Sequence, residues 1–260
     1  MSSSFMWITP DWPAPPEVRA ISTTRHHGVA TGVYASLNLA LHVGDEASTV
    51  LANRQLLTEQ AQLPATPAWL EQVHGTTVLD LANWTGDVIA ADAALAQQAN
   101  QVCVVMTADC LPILLCWQGG HCQDGQAAKQ QVAAIHAGWR GLCNGIIEQT
   151  LAHFSEPTQL MAWLGPAIGP TAFEVGAEVR AAFLAKDPAA ELAFVAQPSG
   201  KYLADLYQLA RLRLQAAGVS AIYGGNYCTF TQQERFFSYR RDGQTGRQAS
   251  LIWIAEANGR

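Results

Sequence analysis

Charge is scarce in this chain. Charged side chains make up 14% of its 260 residues, with 15 Lys and Arg against 21 Asp and Glu. The net charge is −6 and no basic run offsets it, so a phosphate backbone would meet repulsion; nucleic acid is not the expected partner. Long apolar runs are missing too. The longest candidate, Val102–Trp117, is interrupted by Asp109 and Pro112, which counts against a membrane span. Residues 1–17 are rich in Ser, Pro and Trp and lack the cationic start and apolar stretch of a signal peptide. They read as an extended N-terminal segment. Six cysteines without an export signal point to reduced thiols in the cytoplasm, so each is an inert core residue, a reactive thiol or a metal ligand.

What is present is apolar material, 49% of the chain. That suffices for one large globular unit over residues 1–260. Short β-like runs alternate with longer helical ones, which predicts a mixed α/β fold. Strands are expected at Val18–Thr24, Ala68–Val73, Val102–Thr107, Ile113–Trp117, Val132–His136, Leu160–Leu164 and Leu251–Ile254. Helices are expected at Glu46–Gln60, Leu142–Phe154, Ala177–Ala185 and Leu203–Ala217, the last closed by Gly218. The Gly- and Gln-rich stretch Gln118–Gln131 reads as a surface hairpin loop, and Lys186–Glu191 as another loop. No internal repeat or linker is visible.

Three apolar runs end in a residue that can bind metal. Ala133-Ala134-Ile135 leads to His136, followed by Ala137-Gly138-Trp139-Arg140-Gly141. Trp69-Leu70-Glu71-Gln72-Val73 leads to His74 and Gly75, and Val102–Met106 leads to Thr107-Ala108-Asp109-Cys110. Strand ends beside helix starts are where α/β folds place ligands. The intervals, 36 residues from 74 to 110 and 26 from 110 to 136, are too long for a local zinc clip, so tertiary structure must assemble the site. Three protein ligands would leave a tetrahedral ion one open position, as in catalytic zinc. Spacing alone leaves many triples open among seven His and six Cys. A lone histidine packed under Trp139 is the plainer alternative. Cys103 and Cys116 read as small core hydrophobes; Cys143 lies early in a helix; Cys122 sits in the loop beside His121.

The motifs Gln72-Val73-His74-Gly75, Thr107-Ala108-Asp109-Cys110-Leu111-Pro112 and His136-Ala137-Gly138-Trp139-Arg140-Gly141 together resemble the YfiH-like laccase-domain family. That family is also called multicopper polyphenol oxidase and purine nucleoside phosphorylase. Ser36-Leu37-Asn38-Leu39, Asn53-Arg54, Gly165-Pro166-Ala167-Ile168, Phe173-Glu174-Val175-Gly176 and Phe237-Ser238-Tyr239-Arg240-Arg241 agree, so the likeness runs from about Arg25 to Arg247. Thr171-Ala172 departs from it, since family members often carry a cysteine there. The resemblance implies a single-domain, mixed-sheet α/β/α sandwich with one Zn²⁺ held by His74, Cys110 and His136. It also implies phosphorolysis of adenosine, inosine or methylthioadenosine, and deamination of adenosine. Asp109 and Glu174 are the candidate proton shuttles, because the H-x-E motif of known nucleobase deaminases is lacking. Arg140 is the first candidate for holding phosphate, ahead of Arg25, Arg54 and Arg241. Asn38, Arg54, Gln72 and Arg241 are the candidate substrate contacts.

Other readings compete. A His₂Cys set near Met106 suits copper, yet a trinuclear laccase centre needs more histidines than seven. Cys110 as a nucleophile with a histidine base would make a metal-free hydrolase. A structural zinc would need His42 or Asp109 as fourth ligand. Cell-wall-precursor editing is a further possibility that the resemblance carries.

Overall fold

The computed structural model describes residues 7–117, 130–154 and 156–256. Cys122, His121 and most of the expected hairpin loop lie outside them. The first strands are β1 (Trp7–Ile8), β2 (Val18–Thr23), β3 (Val78–Asp80), β4 (Ala93–Ala96), β5 (Val102–Thr107), β6 (Leu111–Trp117) and β7 (Val132–Ala137). They continue with β8 (Leu160–Leu164), β9 (Glu174–Val175), β10 (Phe194–Ala196), β11 (Tyr202–Ala204), β12 (Ala221–Gly224) and β13 (Gln248–Ile254). The helices are α1 (Ala47–Gln60), α2 (Trp139–Asn144), α3 (Ile146–Leu151), α4 (Ala177–Leu184), α5 (Leu206–Ala216) and α6 (Tyr239–Asp242).

Two sheets stack at the centre. One has six strands in the order β12-β8-β6-β7-β4-β3, with parallel pairs at both edges. The other has four antiparallel strands, β1-β2-β13-β5. Period-two alternation sorts the side chains between them. From β6 and β7, Leu111, Ile113, Leu115, Ala133 and Ile135 face a core shared with helices α2 to α5. Leu114, Cys116, Val132 and Ala134 face the other way, against Cys103, Val105 and Ile252 of the smaller sheet. The far side of that sheet packs Val104, Met106 and Leu251 on Leu57 of α1 and on Leu37 and Leu39. The mixed α/β/α sandwich is therefore present, and its β layer is two sheets thick. Strands buried on both faces read as unbroken apolar runs, which is why β5, β6 and β7 stand out in the sequence.

Four expectations change. Leu142–Phe154 is two helices, because Gly145 takes φ 102° and ends α2 before α3 begins. Leu203 belongs to β11, paired with Glu174, and α5 starts later under an Asp205 cap that accepts the Gln208 N–H. Ala68–Val73 is not a ladder strand; it makes two isolated bridges, from Ala68 to Cys103 of β5 and from Glu71 to Ala90. Residues 188–193 form a 3₁₀ turn capped by Asp187. Among the described residues no helix is long and apolar enough to cross a membrane.

Candidate metal centre

His74, Cys110 and His136 come from three different segments and meet at one edge of the stacked sheets. Their ligand atoms all lie within 4.8 Å of one another. Cys110 Sγ is 3.7 Å from His74 Nε2, and the two imidazoles sit edge-to-face with centroids 4.7 Å apart. Tetrahedral zinc, with bonds of about 2.3 Å to sulfur and about 2.0 Å to nitrogen, requires S···N separations of roughly 3.5 Å. The donor set and its spacing fit such an ion. No fourth His, Cys, Asp or Glu among the described residues joins the group.

The local chain explains the convergence. His74 adopts φ 60°, a left-handed turn that lines up three successive amides. Val73, His74 and Gly75 donate their N–H groups to the Asp92 carboxylate at 3.3, 2.9 and 2.6 Å. The same carboxylate accepts the His136 Nδ1–H at 2.8 Å, which leaves His136 Nε2 as the free donor. Asp92 thus orients both histidines, in the manner of carboxylates behind metal-bound imidazoles. Burial alone would raise its pKa, but the His136 hydrogen bond and the backbone amides outweigh burial and hold it below its ordinary value. Sequence reading missed Asp92. The available signal was an acid inside the apolar stretch Ala90–Ala96.

Glycines allow the close approach. A Cβ on Gly138 would lie 2.6 Å from His74 Cδ2 and 3.1 Å from Cys110 Sγ, and one on Gly141 would lie 2.8 Å from the Gly75 carbonyl oxygen. The two glycines around Trp139-Arg140 are therefore there to let the start of α2 touch the His74 turn.

Electrostatics favour an anionic sulfur. Burial pushes the Cys110 thiol up, but the charge and hydrogen bonds of His136 and His74 reverse this and bring it to about 6. Burial pushes His136 down, while the Cys110 thiolate and Asp92 raise it to about 9. Each group thus favours the charged form of the other, thiolate beside imidazolium. By contrast, burial lifts the core thiols Cys103 and Cys116 well above the ordinary range.

The trio opens on a cleft of about 340 Å³, lined also by His42, Gln72, Met106, Thr107, Tyr239 and Arg247. Gln72 clamps Met106 through both backbone groups, at 2.8 and 2.7 Å. Arg54 lies in an adjoining, mostly apolar groove with Trp69, Val73 and Val88; its guanidinium stacks on Trp69 at 3.9 Å, and burial lowers its pKa to about 10. Arg247 and Tyr239 were not singled out from the sequence, although Tyr239 lies inside a matching segment.

Other candidates sit apart from the cleft's lining. Asp109 has φ 97° and turns its carboxylate towards Thr229 Oγ1 and the Arg240 N–H, each at 2.6 Å. Its reversal is what exposes Cys110. Asn38 is buried, donating to Ala40 and Asp45 and accepting from the Arg247 N–H. Arg241 donates to the carbonyls of Thr229, Phe230 and Phe236, and Arg25 to those of Ala35 and Gln233. Glu174 pairs with Lys201 at the surface. Arg140 is exposed and stacks on Trp139 at 4.4 Å.

Comparison with known proteins gives one answer. A family profile described as multi-copper polyphenol oxidoreductase laccase matches residues 19–255. The chain is 53% identical over 251 residues to purine nucleoside phosphorylase YfiH of Escherichia coli, covering 95% of this chain and 98% of that one. It is 50% identical over 252 residues to a purine nucleoside phosphorylase of Haemophilus influenzae, with 95% and 98% covered. The crystal structure of a Neisseria meningitidis protein shares the fold at a TM-score of 0.89 and 48% identity, covering 96% of this chain and all of that one. YlmD from Geobacillus stearothermophilus does so at 0.84 and 32%, with 98% of each chain covered. With the profile match spanning nearly its full length, the chain belongs to the multi-copper polyphenol oxidoreductase laccase family, in its YfiH-like form.

Proposed function

We propose that this chain is a zinc-dependent purine nucleoside phosphorylase acting on adenosine, inosine and methylthioadenosine, with adenosine deaminase activity besides. One observation carries the reading. Three convergent donors leave an ion open on the side of a ligand-sized cleft, in a chain whose relatives bear the name purine nucleoside phosphorylase. The cleft volume lies at the lower end for small-molecule sites. His74, Cys110 and His136 would hold the ion, which when bound supplies Lewis-acid polarisation or an activated water.

The chain's own residues do the rest. Asp92 fixes the His136 tautomer and the His74 turn. Gln72, locked to Met106, keeps one wall rigid beside the nucleoside. Arg247 and Tyr239 complete the lining. The partners are then a purine nucleoside and phosphate, and the compartment is the cytoplasm, where the five described cysteines, all unpaired, would stay reduced.

A second reading has one observation in its favour. Asp92, His136 and Cys110 are ordered as in a cysteine hydrolase, with a carboxylate orienting the base beside a low-pKa thiol. Copper chemistry draws on the family description and on Met106 in the cleft wall, but among the described residues His42 is the one further histidine lining the cleft. A trinuclear centre lacks ligands there.

The deciding experiment gives purified, metal-analysed protein adenosine or inosine with and without phosphate. The expected products are free base and ribose-1-phosphate, with ammonia from adenosine, all abolished by a chelator and restored by zinc. Absence of phosphate-dependent base release at full zinc occupancy would overturn the phosphorylase. Activity that survives the chelator but not thiol alkylation would favour the hydrolase.

A further inference from the structure

Beside the metal cleft lies a second cavity of about 370 Å³, lined by His42, Val43, Tyr239, Gly243, Gln244, Thr245 and Arg247. The two share His42, Tyr239 and Arg247. We propose that inorganic phosphate binds at this junction, held by Arg247, His42 and the Thr245 hydroxyl. The inference rests on the phosphorylase reading and gives its second substrate an address.

Three observations lead to an anion. The first is a guanidinium without a contact ion pair: burial lowers the pKa of Arg247, and the more distant charges of Cys110 and Asp109 offset this only in part. Arg247 is half-buried and spends Nη1 on the carbonyls of Thr245 and Gly246. It forms no ion pair with a carboxylate among the described residues. Arg54, half-buried on the other side of His42, forms none either. Half-buried charges without a counter-ion are costly unless a ligand supplies one.

The second is unpartnered polarity. Thr245 is 1% exposed and its hydroxyl has no hydrogen-bond partner. Thr107, 2% exposed on the wall of the metal cleft, is in the same condition. Buried hydroxyls are normally paired, so two orphans in adjoining cavities mark a place where acceptor oxygens belong. Phosphate offers these while neutralising the arginine.

The third is His42. Burial and then the charges of Arg247 and Arg54 lower its pKa. It lines both cavities, where its ring can offer an N–H to an anion. Arg140, favoured by the sequence for this task, lines neither cavity and lies exposed on Trp139. Phosphate at the junction would sit next to whatever nucleoside occupies the metal cleft, as attack on the anomeric carbon demands.

The test is a calorimetric titration of the full, zinc-loaded chain with inorganic phosphate, and separately with adenosine monophosphate, alongside steady-state kinetics. Thr245→Val removes one hydroxyl at constant shape; Arg247→Lys keeps the charge and loses the planar fork; Arg140→Ala is the rival. We expect free phosphate to bind the wild type. Thr245→Val should raise the Kd and the KM for phosphate about fivefold with the nucleoside KM within twofold, and Arg247→Lys should raise the Kd and the KM for phosphate about tenfold or more. Arg140→Ala should leave both unchanged. Unaltered phosphate binding in Thr245→Val and Arg247→Lys would overturn the assignment, as would a loss in Arg140→Ala alone. Binding of the nucleotide but not of free phosphate would also overturn it. If wild-type protein binds phosphate with these dependences but releases no base, the phosphorylase reading fails while the anion site stands.

Discussion

The two walls of the cleft treat polarity in opposite ways. On the wall built by the six-stranded sheet and the His74 turn, the buried carboxylate and its neighbours are paired. Asp92 takes three amides and an imidazole, and the thiolate of Cys110 faces an imidazolium. On the wall built from the start of β13 and the end of β5, two hydroxyls lack partners and Arg247 makes no contact ion pair among the described residues. One wall is finished before any ligand arrives. The other is complete only with an anion. The difference separates a resident group, whose site must be rigid, from a substrate that must come and go.

Removing a metal donor should break the finished wall outright. Cys110→Ala is expected to lose zinc on dialysis and to lose activity by more than any other substitution, as metal analysis and product release would show. Asp92→Asn comes next. It keeps the volume but weakens the hold on both histidines, so zinc affinity should fall about 10–100-fold, read by competition with a chromogenic chelator. The pH dependence has a defined sign. Asp92's depressed folded pKa gives stability that is present above the unfolded value of about 3.9 and lost as pH falls through the lower folded value. The acid-side slope of metal-free thermal unfolding should therefore flatten in Asp92→Asn.

Gly138→Ala probes the same wall sterically. Its φ of −62° suits alanine, so any loss comes from the contact with His74 and Cys110. We expect about 1–3 kcal/mol of destabilisation, with reduced zinc content, measured by denaturant titration. The thiolate–imidazolium pair sharpens the picture further. Zinc binding between about pH 6 and 9 should release one proton, from His136, since Cys110 has already lost its own. Proton release read with a pH dye, and thiolate absorbance of the metal-free protein that vanishes below about pH 6, check this. The smallest effect is expected at Glu174→Gln. Its pair with Lys201 is half exposed, with side chains 41% and 56% accessible, and such pairs contribute about 0–1 kcal/mol. A large loss of activity there would return Glu174 to the chemistry.

What the sequence shows plainly follows from burial. Cys110 and His136 stand at the ends of apolar runs that are visible because β5 and β7 are covered on both faces, whereas His74 follows a half-exposed segment with only isolated bridges. Ala93–Ala96 was not legible as a strand, since alanine favours helix and only the burial of both faces makes it β4. Gly145 hides a helix break, because glycine in a helical pattern is often tolerated. Asp92 was illegible for a different reason. Its partners lie 17 to 19 and 44 residues away, and nothing local announces a carboxylate that acts through others. Arginines are hard to rank for a similar cause: Arg241 and Arg25 donate to backbone carbonyls, while Arg247, with no motif around it, lines the cleft.

Cys110 lies on the shortest connection between the two stacked sheets. β5 ends at Thr107 in one sheet and β6 begins at Leu111 in the other, with residues 108–110 between. Four Cα steps reach roughly 14 Å at most, and packed sheets stand about 10 Å apart. The crossing has little slack. An insertion or deletion here would shift a ligand and a sheet register together. Chains that share this fold should therefore keep the length of this crossing, and with it the position of the sulfur.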